Sequence, residues 1–347
     1  MKRITLFAPS IRFAMGQYVE KFSSLIAKDH SVTLVAPSHF ECEIEGVNTT
    51  KFTTGSKLSA LIKTFSPITH FIILYSIYKS KPDIIHILNS EGYPWSISVS
   101  LYAKITKTPL IVTVHDPTPH PGSYFDYIAS KLRVITLSIC DVIHIHYKDD
   151  IFLDKKNYIK KHVIVPHVSF ADRFTQYIDD TIEPENNILF FGKIEKYKGL
   201  ETLVNTYDLL PTDIHIVIAG PGKIPHELGQ KITDRKISLI NKYIDDKEVC
   251  KLFQTSKVLV LPYIQSTQSS LPVIARSFGL ELIATRTGNF INEIPKYGGT
   301  LIDINNFAEL AEEIVKSIKK YHKVKRSPPS NINNKIQSSF IEIYNDL

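Results

Sequence analysis

Two doubly wound α/β domains in tandem are what this sequence predicts, and three observations predict them. At 347 residues the chain is too long for one compact core. Short, continuous apolar runs recur along it, which is the pattern of parallel strands buried on both faces. Helical periodicity falls between the runs, and this strand–helix alternation occurs twice, on either side of a polar, acidic segment.

In the first half, strands are predicted at Ile4–Ala8, Val32–Ala36, Ile84–Leu88, Leu110–Val114, Val142–His146 and Val163–Pro166. Helical patterns lie between them at about residues 16–28, 57–80, 94–106, 123–139 and 149–159. In the second half, strands are predicted at Ile188–Phe191, Ile214–Ala219, Ser238–Ile240, Val258–Leu261, Leu282–Ala284 and Thr300–Ile302. Helices are expected near 198–210, 246–255, 270–279 and 306–320. The domain boundaries that follow are 1–170 and 187–330, joined by a linker at 171–186. A helix at 331–347 is expected to pack back on the first domain.

Composition narrows the function classes. Hydrophobic residues make up 43% and charged residues 22%, ordinary for a globular protein. The three cysteines, Cys42, Cys140 and Cys250, are scattered and form no CxxC, so neither a disulfide framework nor a zinc site is indicated. The N-terminal apolar run stops at Pro9, too early for a signal-peptide core. No apolar stretch reaches membrane-spanning length, so a cytoplasmic or peripherally membrane-bound protein is expected. The formal charge of +6 resides wholly in residues 1–165. No basic run interleaves with aromatics, so nucleic acid is not an expected partner.

In doubly wound folds ligands bind beyond the carboxyl ends of the strands, so the residues just after each strand carry the interest. The first such turn, APSIRFAMGQYVE, has a single glycine, Gly16, and no GxGxxG; a P-loop is absent as well. The second half says more. FFGKIEKYKGLETL places Gly192, Lys193 and Lys198 at a strand end beside a helix start, an arrangement suited to phosphate. IVIAGPGK ends a strand on Gly220 and Gly222. LPYIQSTQSSLPVIARSFG puts Thr267, Gln268, Ser269 and Ser270 ahead of a helix. ATRTGNFINEI supplies Gly288 and Glu293.

The order of FGKIEKYKG, IAGPG, VLPY with its polar loop, the SFG helix end and TGNFINE resembles the donor-binding domain of family 4 glycosyltransferases. VTVHD, the early Met15-Gly16 and KPDIIHIL resemble the first domain of the same family, so the resemblance covers nearly the whole chain. It implies the GT-B fold, two Rossmann-like doubly wound domains facing a central cleft. The implied activity is retaining, metal-independent and cofactor-free transfer of a hexose or N-acetylhexosamine. Its donor would be a nucleotide-diphosphate sugar, UDP foremost, and its acceptor a glycan, free or lipid-linked, in bacterial surface polysaccharide or glycolipid synthesis. The first domain would bind the acceptor and the second the donor. A sugar-nucleotide epimerase of the same fold and a catalytically inactive binding subunit are the alternatives.

By the resemblance, Lys193 and Lys198 stand on the donor diphosphate and His115 on the donor sugar, and these three are the candidate catalytic residues. Gly16, Gly192, Gly220, Gly222, Thr267, Gln268, Ser269, Ser270, Gly288 and Glu293 are the candidate donor-binding residues. Asn89, Glu91, Asp116 and His120 are the candidates on the acceptor side. The family's E-x7-E pair would fall at Ser266 and Ile274, so this chain looks like a variant branch lacking both carboxylates.

Two further features have more than one reading. His86, His115, His120, His144 and His146 crowd at strand ends, and a metal site can be imagined there. No carboxylate or cysteine accompanies them, which favours cleft or core histidines. The segment Lys57–Lys81 carries apolar residues at helical spacing, with lysines at both ends. Core packing is its ordinary reading; the other is a face for the membrane surface, suited to a lipid-linked acceptor and mildly favoured by the basic first half.

Overall fold

The computed structural model describes residues 1–11, 14–54, 63–115, 124–154, 162–266, 269–326 and 332–347. The chain divides into two compact units, Met1–Val168 with Asn331–Leu347, and Ser169–Ser330.

Among the described residues, the first unit holds seven parallel strands. They are β1 (Arg3–Phe7), β2 (Ser31–Pro37), β3 (Val47–Phe52), β4 (Ile84–Ile87), β5 (Leu110–Val114), β6 (Val142–Ile145) and β7 (His162–Ile164). Their order in the sheet is β3-β2-β1-β4-β5-β6-β7. Every residue of β4 and β5 is buried, as continuous apolar runs require when helices cover both faces. Those helices are α1 (Ala14–Ile26), α2 (Pro67–Ser80), α3 (Pro94–Thr106), α4 (Tyr124–Ile139) and the short α5 (Asp150–Asp154). Strand β3 escapes sequence reading because it is a half-exposed edge, VNTTKF, without an apolar run. The N-terminal part of the expected helix 57–80 and the end of 149–159 lie outside the described residues.

The second unit is built on β8 (Asn187–Phe191), β9 (His215–Ala219), β10 (Ser238–Ile240), β11 (Val258–Leu261), β12 (Glu281–Thr285) and β13 (Thr300–Ile302). These pair in the order β10-β9-β8-β11-β12-β13. Its helices are α6 (Leu200–Thr206), α7 (His226–Asp234), α8 (Asp246–Gln254), α9 (Leu271–Phe278), α10 (Phe290–Glu293) and α11 (Phe307–Lys320). Strand β11 shows why both faces are apolar. Leu259 and Leu261 pack with Phe253 of α8 and Phe278 of α9. Val258 and Val260 point the other way, toward Leu203 of α6 and Ile314 of α11.

Three sequence expectations need correction here. Residues 198–210 do not form one helix: a 3-10 turn at Lys196–Lys198 precedes α6, and another at Tyr207–Leu209 follows it. Helix α7 carries few apolar residues and was not expected, yet the parallel β9–β10 pair requires a crossover of this kind. The segment 171–186, read as a linker, lies within the second unit. A 3-10 helix at Ala171–Tyr177 buries Ala171 and Phe174, and the buried Arg326 donates to the carbonyls of Asp179 and Ile182. Two apolar residues and a distant arginine hold a segment whose own composition gives no sign of order.

A last helix, α12 (Ile332–Asn345), belongs to the first unit. Phe340 packs edge-on against Phe22 of α1 at 4.8 Å between ring centroids. The Tyr344 hydroxyl lies 2.8 Å from His86 Nδ1 in β4.

Candidate functional site

In each sheet the strand order reverses at one place, between β1 and β4 and between β8 and β11. Loops leaving the two strands diverge there and open a crevice at their carboxyl ends.

In the second unit Lys198 occupies that position. It ends the 3-10 turn after β8, and its Nζ sits 5.2 Å from the centroid of the Tyr263 ring, just beyond β11. A methyl group on Gly192 would come within 2.9 Å of the same ammonium. Burial pulls the Lys198 pKa down, but Tyr263, Tyr197 and Glu195 outweigh it and hold the ammonium above its ordinary value. The result is a permanently charged, half-buried cation at the switch point. Lys193 is placed differently. It is exposed and ion-paired with Glu195, so its charge is partly spent.

The loops around Lys198 approach one another at backbone distance. Gly220 has φ +142, and a side chain there would collide with the Gly192 carbonyl. Gly222 donates its amide to Asn241 Oδ1 and accepts from Asn241 Nδ2, both at 3.0 Å. Gly288 has φ +47, with the carbonyl of Ser266 where its Cβ would be. Thr287 Oγ1 donates to the Ile264 carbonyl at 3.1 Å, and Thr285 Oγ1 to that of Tyr263. The β11–α9 loop is therefore strapped onto the β12–α10 loop.

The polar loop before α9 departs from expectation in one respect. Thr267 and Gln268 lie outside the described residues. Ser269 accepts a bond from the Leu271 amide at 3.2 Å, Pro272 has no amide hydrogen, and the Ile274 amide closes on the Ser270 carbonyl. Of the first-turn amides of α9, that of Leu271 is therefore used locally, and the Ile274 bond is the first of the helix itself. Ile274 packs in the apolar core. Among the described residues Ser266 Oγ and Glu293 Oε2 are buried without hydrogen-bond partners. Burial pushes the Glu293 carboxyl up to about 7, partly offset by Lys296.

In the first unit the switch point is closed by a side-chain clamp. Asn89, buried at the end of β4, accepts from the Ser10 amide at 3.1 Å and donates to the Ser10 carbonyl at 2.9 Å. Glu91 is ion-paired with Arg133 of α4 at 3.3 Å. Both residues, expected on the acceptor side, thus hold the scaffold. Gly16 sits in the first turn of α1. Asp116 and His120 lie outside the described residues.

His115 follows β5 and is buried, with Nε2 donating to the Leu88 carbonyl at 2.9 Å. Its Nδ1 faces His146 Nε2 at 3.1 Å, and Tyr18 of α1 packs edge-on at 4.6 Å. The other histidines form a directed chain. Tyr344 donates to His86 Nδ1, His86 Nε2 to Thr113, Thr113 to His144 Nδ1, and His144 Nε2 to the Val165 carbonyl, each at 2.8–2.9 Å. Acceptor carbonyls fix these tautomers, and the rings are satisfied core residues. Burial drives all four pKa values down, His115 to about 4 and His144 to about 3.

Tyr263 and Asn241 were not singled out by sequence as parts of these sites. Tyr263 and Asn241 each stand just past a predicted strand end, which is the signal that could have found them.

These observations describe two Rossmann-like parallel α/β units, the GT-B architecture, and comparison with known proteins agrees. Residues 185–320 match the family model described as glycosyl transferases group 1. The sulfoquinovosyl transferase SQD2 of Arabidopsis thaliana is 25% identical over 65% of this chain and 46% of its own length, so the match spans about half of that relative. An uncharacterized 41.2 kDa protein in the cps region of Klebsiella pneumoniae is 24% identical over 74% of each chain. Among solved structures, Anabaena HepE in complex with UDP-glucose matches with a TM-score of 0.75 at 14% identity, over 99% of this chain and 100% of that one. Sucrose-phosphate synthase from Thermosynechococcus elongatus matches at 0.68 and 14%, over 100% and 99%. At such identities the structural likeness carries the fold. The domain match places a glycosyl transferases group 1 domain over residues 185–320.

Proposed function

We propose that the chain is a retaining, metal-independent glycosyltransferase that moves a hexose or N-acetylhexosamine from a UDP-sugar to a glycan acceptor, free or lipid-linked. Synthesis of a bacterial surface polysaccharide or glycolipid is the setting. The observation that carries the reading is the Lys198 ammonium at the β8–β11 switch point, ringed by loops that meet backbone to backbone. Support also comes from the family match over residues 185–320 and from neighbours solved with UDP and UDP-glucose.

In this reading the bond between the anomeric carbon and the diphosphate oxygen breaks while the acceptor oxygen bonds the same face of that carbon. The acceptor's proton passes to the leaving diphosphate. Lys198 meets the negative charge that grows on that group, and Lys193 adds a weaker, more exposed charge. The first unit serves the acceptor.

Incubation with a panel of UDP-, GDP- and TDP-sugars tests this. Release of free UDP that persists in a metal chelator is expected. An altered sugar still attached to nucleotide would make the protein an epimerase instead. Nucleotide binding without turnover on any donor would leave only a binding subunit.

A further inference from the structure

Helix α2 is apolar on two sides. Thr69, Ile73 and Ile77 are buried against its own unit. Opposite them Ile68 is 71% exposed, Phe71 67% and Tyr78 65%, with Tyr75 between at 46%. These positions recur at helical spacing and form one stripe along the helix. Phe71 and Tyr75 stack with ring centroids 5.9 Å apart. A helix that has already buried one apolar face needs no second one for folding, so this stripe is placed for something outside the unit.

The stripe continues onto α3. His70 Nδ1 and Ser98 Oγ, 2.8 Å apart, tie the two helices. On α3, Leu101 is 46% and Ile105 81% exposed.

The charges carried by the two helices are of one sign. Neither helix contains an Asp or Glu, and each has a lysine in its last turn, Lys79 and Lys104, with a second directly after it, Lys81 and Lys107. The Lys79 ammonium lies over the Tyr75 ring at 5.2 Å, its stem along the apolar stripe. Aromatic rings with polar tips, aliphatic side chains and cationic helix ends match the boundary between acyl chains and anionic headgroups. A protein partner of equal size would commonly call for a mixed polar rim.

We propose that the α2–α3 face of the first unit docks on the surface of an anionic lipid bilayer. Presenting a lipid-linked acceptor there is a purpose that rests on the transferase reading; the docking itself does not. The test is sedimentation of the full chain with vesicles of phosphatidylcholine alone, or with an equal share of phosphatidylglycerol. Binding to the anionic vesicles that weakens with salt is expected, with little binding to the neutral ones. Phe71→Ser with Tyr75→Ser should reduce the bound fraction on the order of tenfold. Lys79→Glu with Lys104→Glu should cost about fivefold or more for each lysine. Thermal melts of these surface variants should match the parent, showing that they fold. The proposal falls if the parent stays in solution with both vesicles, or if the Phe71/Tyr75 variant binds like the parent. It falls as well if light scattering finds a dimer that the same variant dissociates, which would make a second copy the occupant. Vesicle binding without sugar transfer would leave the docking intact and remove only its purpose.

Discussion

Nε2 of His146 lies 3.1 Å from Nδ1 of His115, and each ring's other nitrogen faces a backbone carbonyl, Val165 for His146 and Leu88 for His115. Carbonyls accept, so both outer nitrogens carry hydrogens. In the doubly neutral pair the inner nitrogens then meet lone pair to lone pair. One added proton turns that contact into an N–H···N bond. Burial opposes the charge, with Tyr18 at 4.6 Å from His115, and His144 at 4.5 Å and His167 at 5.1 Å from His146. The two rings should therefore take up their first proton as a pair, below the ordinary histidine range. Nitrogen-15 NMR titration reads this directly. Independent titration of the two rings at ordinary values would refute it, and in His146→Phe the His115 ring should titrate alone.

Acid should weaken the first unit before it reaches the usual carboxylate range. Buried His115 falls from 6.5 to about 4 and His144 to about 3. The unfolded chain thus binds more protons than the folded one across that window. Stability is whole above about pH 6.5 and drains away as pH falls, by up to about 3 kcal/mol for His115 alone. Thermal melts should show Tm dropping between about pH 7 and about pH 5. A Tm that stays level across that range would contradict the assignment of these rings as neutral.

Glu293 works with the opposite sign. Its folded pKa, raised by burial to about 7 from 4.5, means the folded state holds the proton more tightly. The cost to stability grows as pH rises through that window and is complete above it. Glu293→Gln should stabilise by up to about 3 kcal/mol at alkaline pH and by little near pH 4.5. A gain independent of pH would point to packing instead.

Loss of the Lys198 ammonium should cost more than loss of any other cation near it. Lys198→Ala is expected to lower kcat/KM for the nucleotide sugar by on the order of 10²–10³. Lys193→Ala, removing an exposed and already paired charge, should cost roughly tenfold or less. Full turnover by Lys198→Ala would remove the basis of the diphosphate assignment.

Much of the fold was legible because its signals are local. Apolar runs such as VLVL at β11 and LIVTV at β5 are buried from end to end, and short-range composition records that. The edge strand β3 and the polar helix α7 left little trace, since neither needs a continuous apolar face. Lys198 was legible from its glycine-flanked turn, whereas nothing in the local pattern VLPY marks the Tyr263 ring as its partner. Asn89 and Glu91 were expected at a ligand and are found bound to Ser10 and Arg133. Residue type and position after a strand do not say whether a polar group has a partner from another element. The segment 57–81, of which α2 is the described helix, shows the same limit. Its spacing left core packing and a membrane-surface face as alternative readings, and only the packing revealed that Ile73 and Ile77 are inside while Phe71 and Tyr78 are outside.

The amino-acid sequence alone determined the α/β alternation in two domains, the glycine- and lysine-bearing turns at strand ends, and the absence of a nucleotide-binding GxGxxG. These depend on residues within a few positions of one another. Tertiary structure decided the order of the strands and hence the two switch points. It also decided which donors of α9 are already used, and which histidines are core. The bond from Tyr344 to His86 spans 258 residues, and the Arg326 bonds to 179 and 182 span 147 and 144. Burial and partnership are properties of such long-range contacts, and no local pattern carries them.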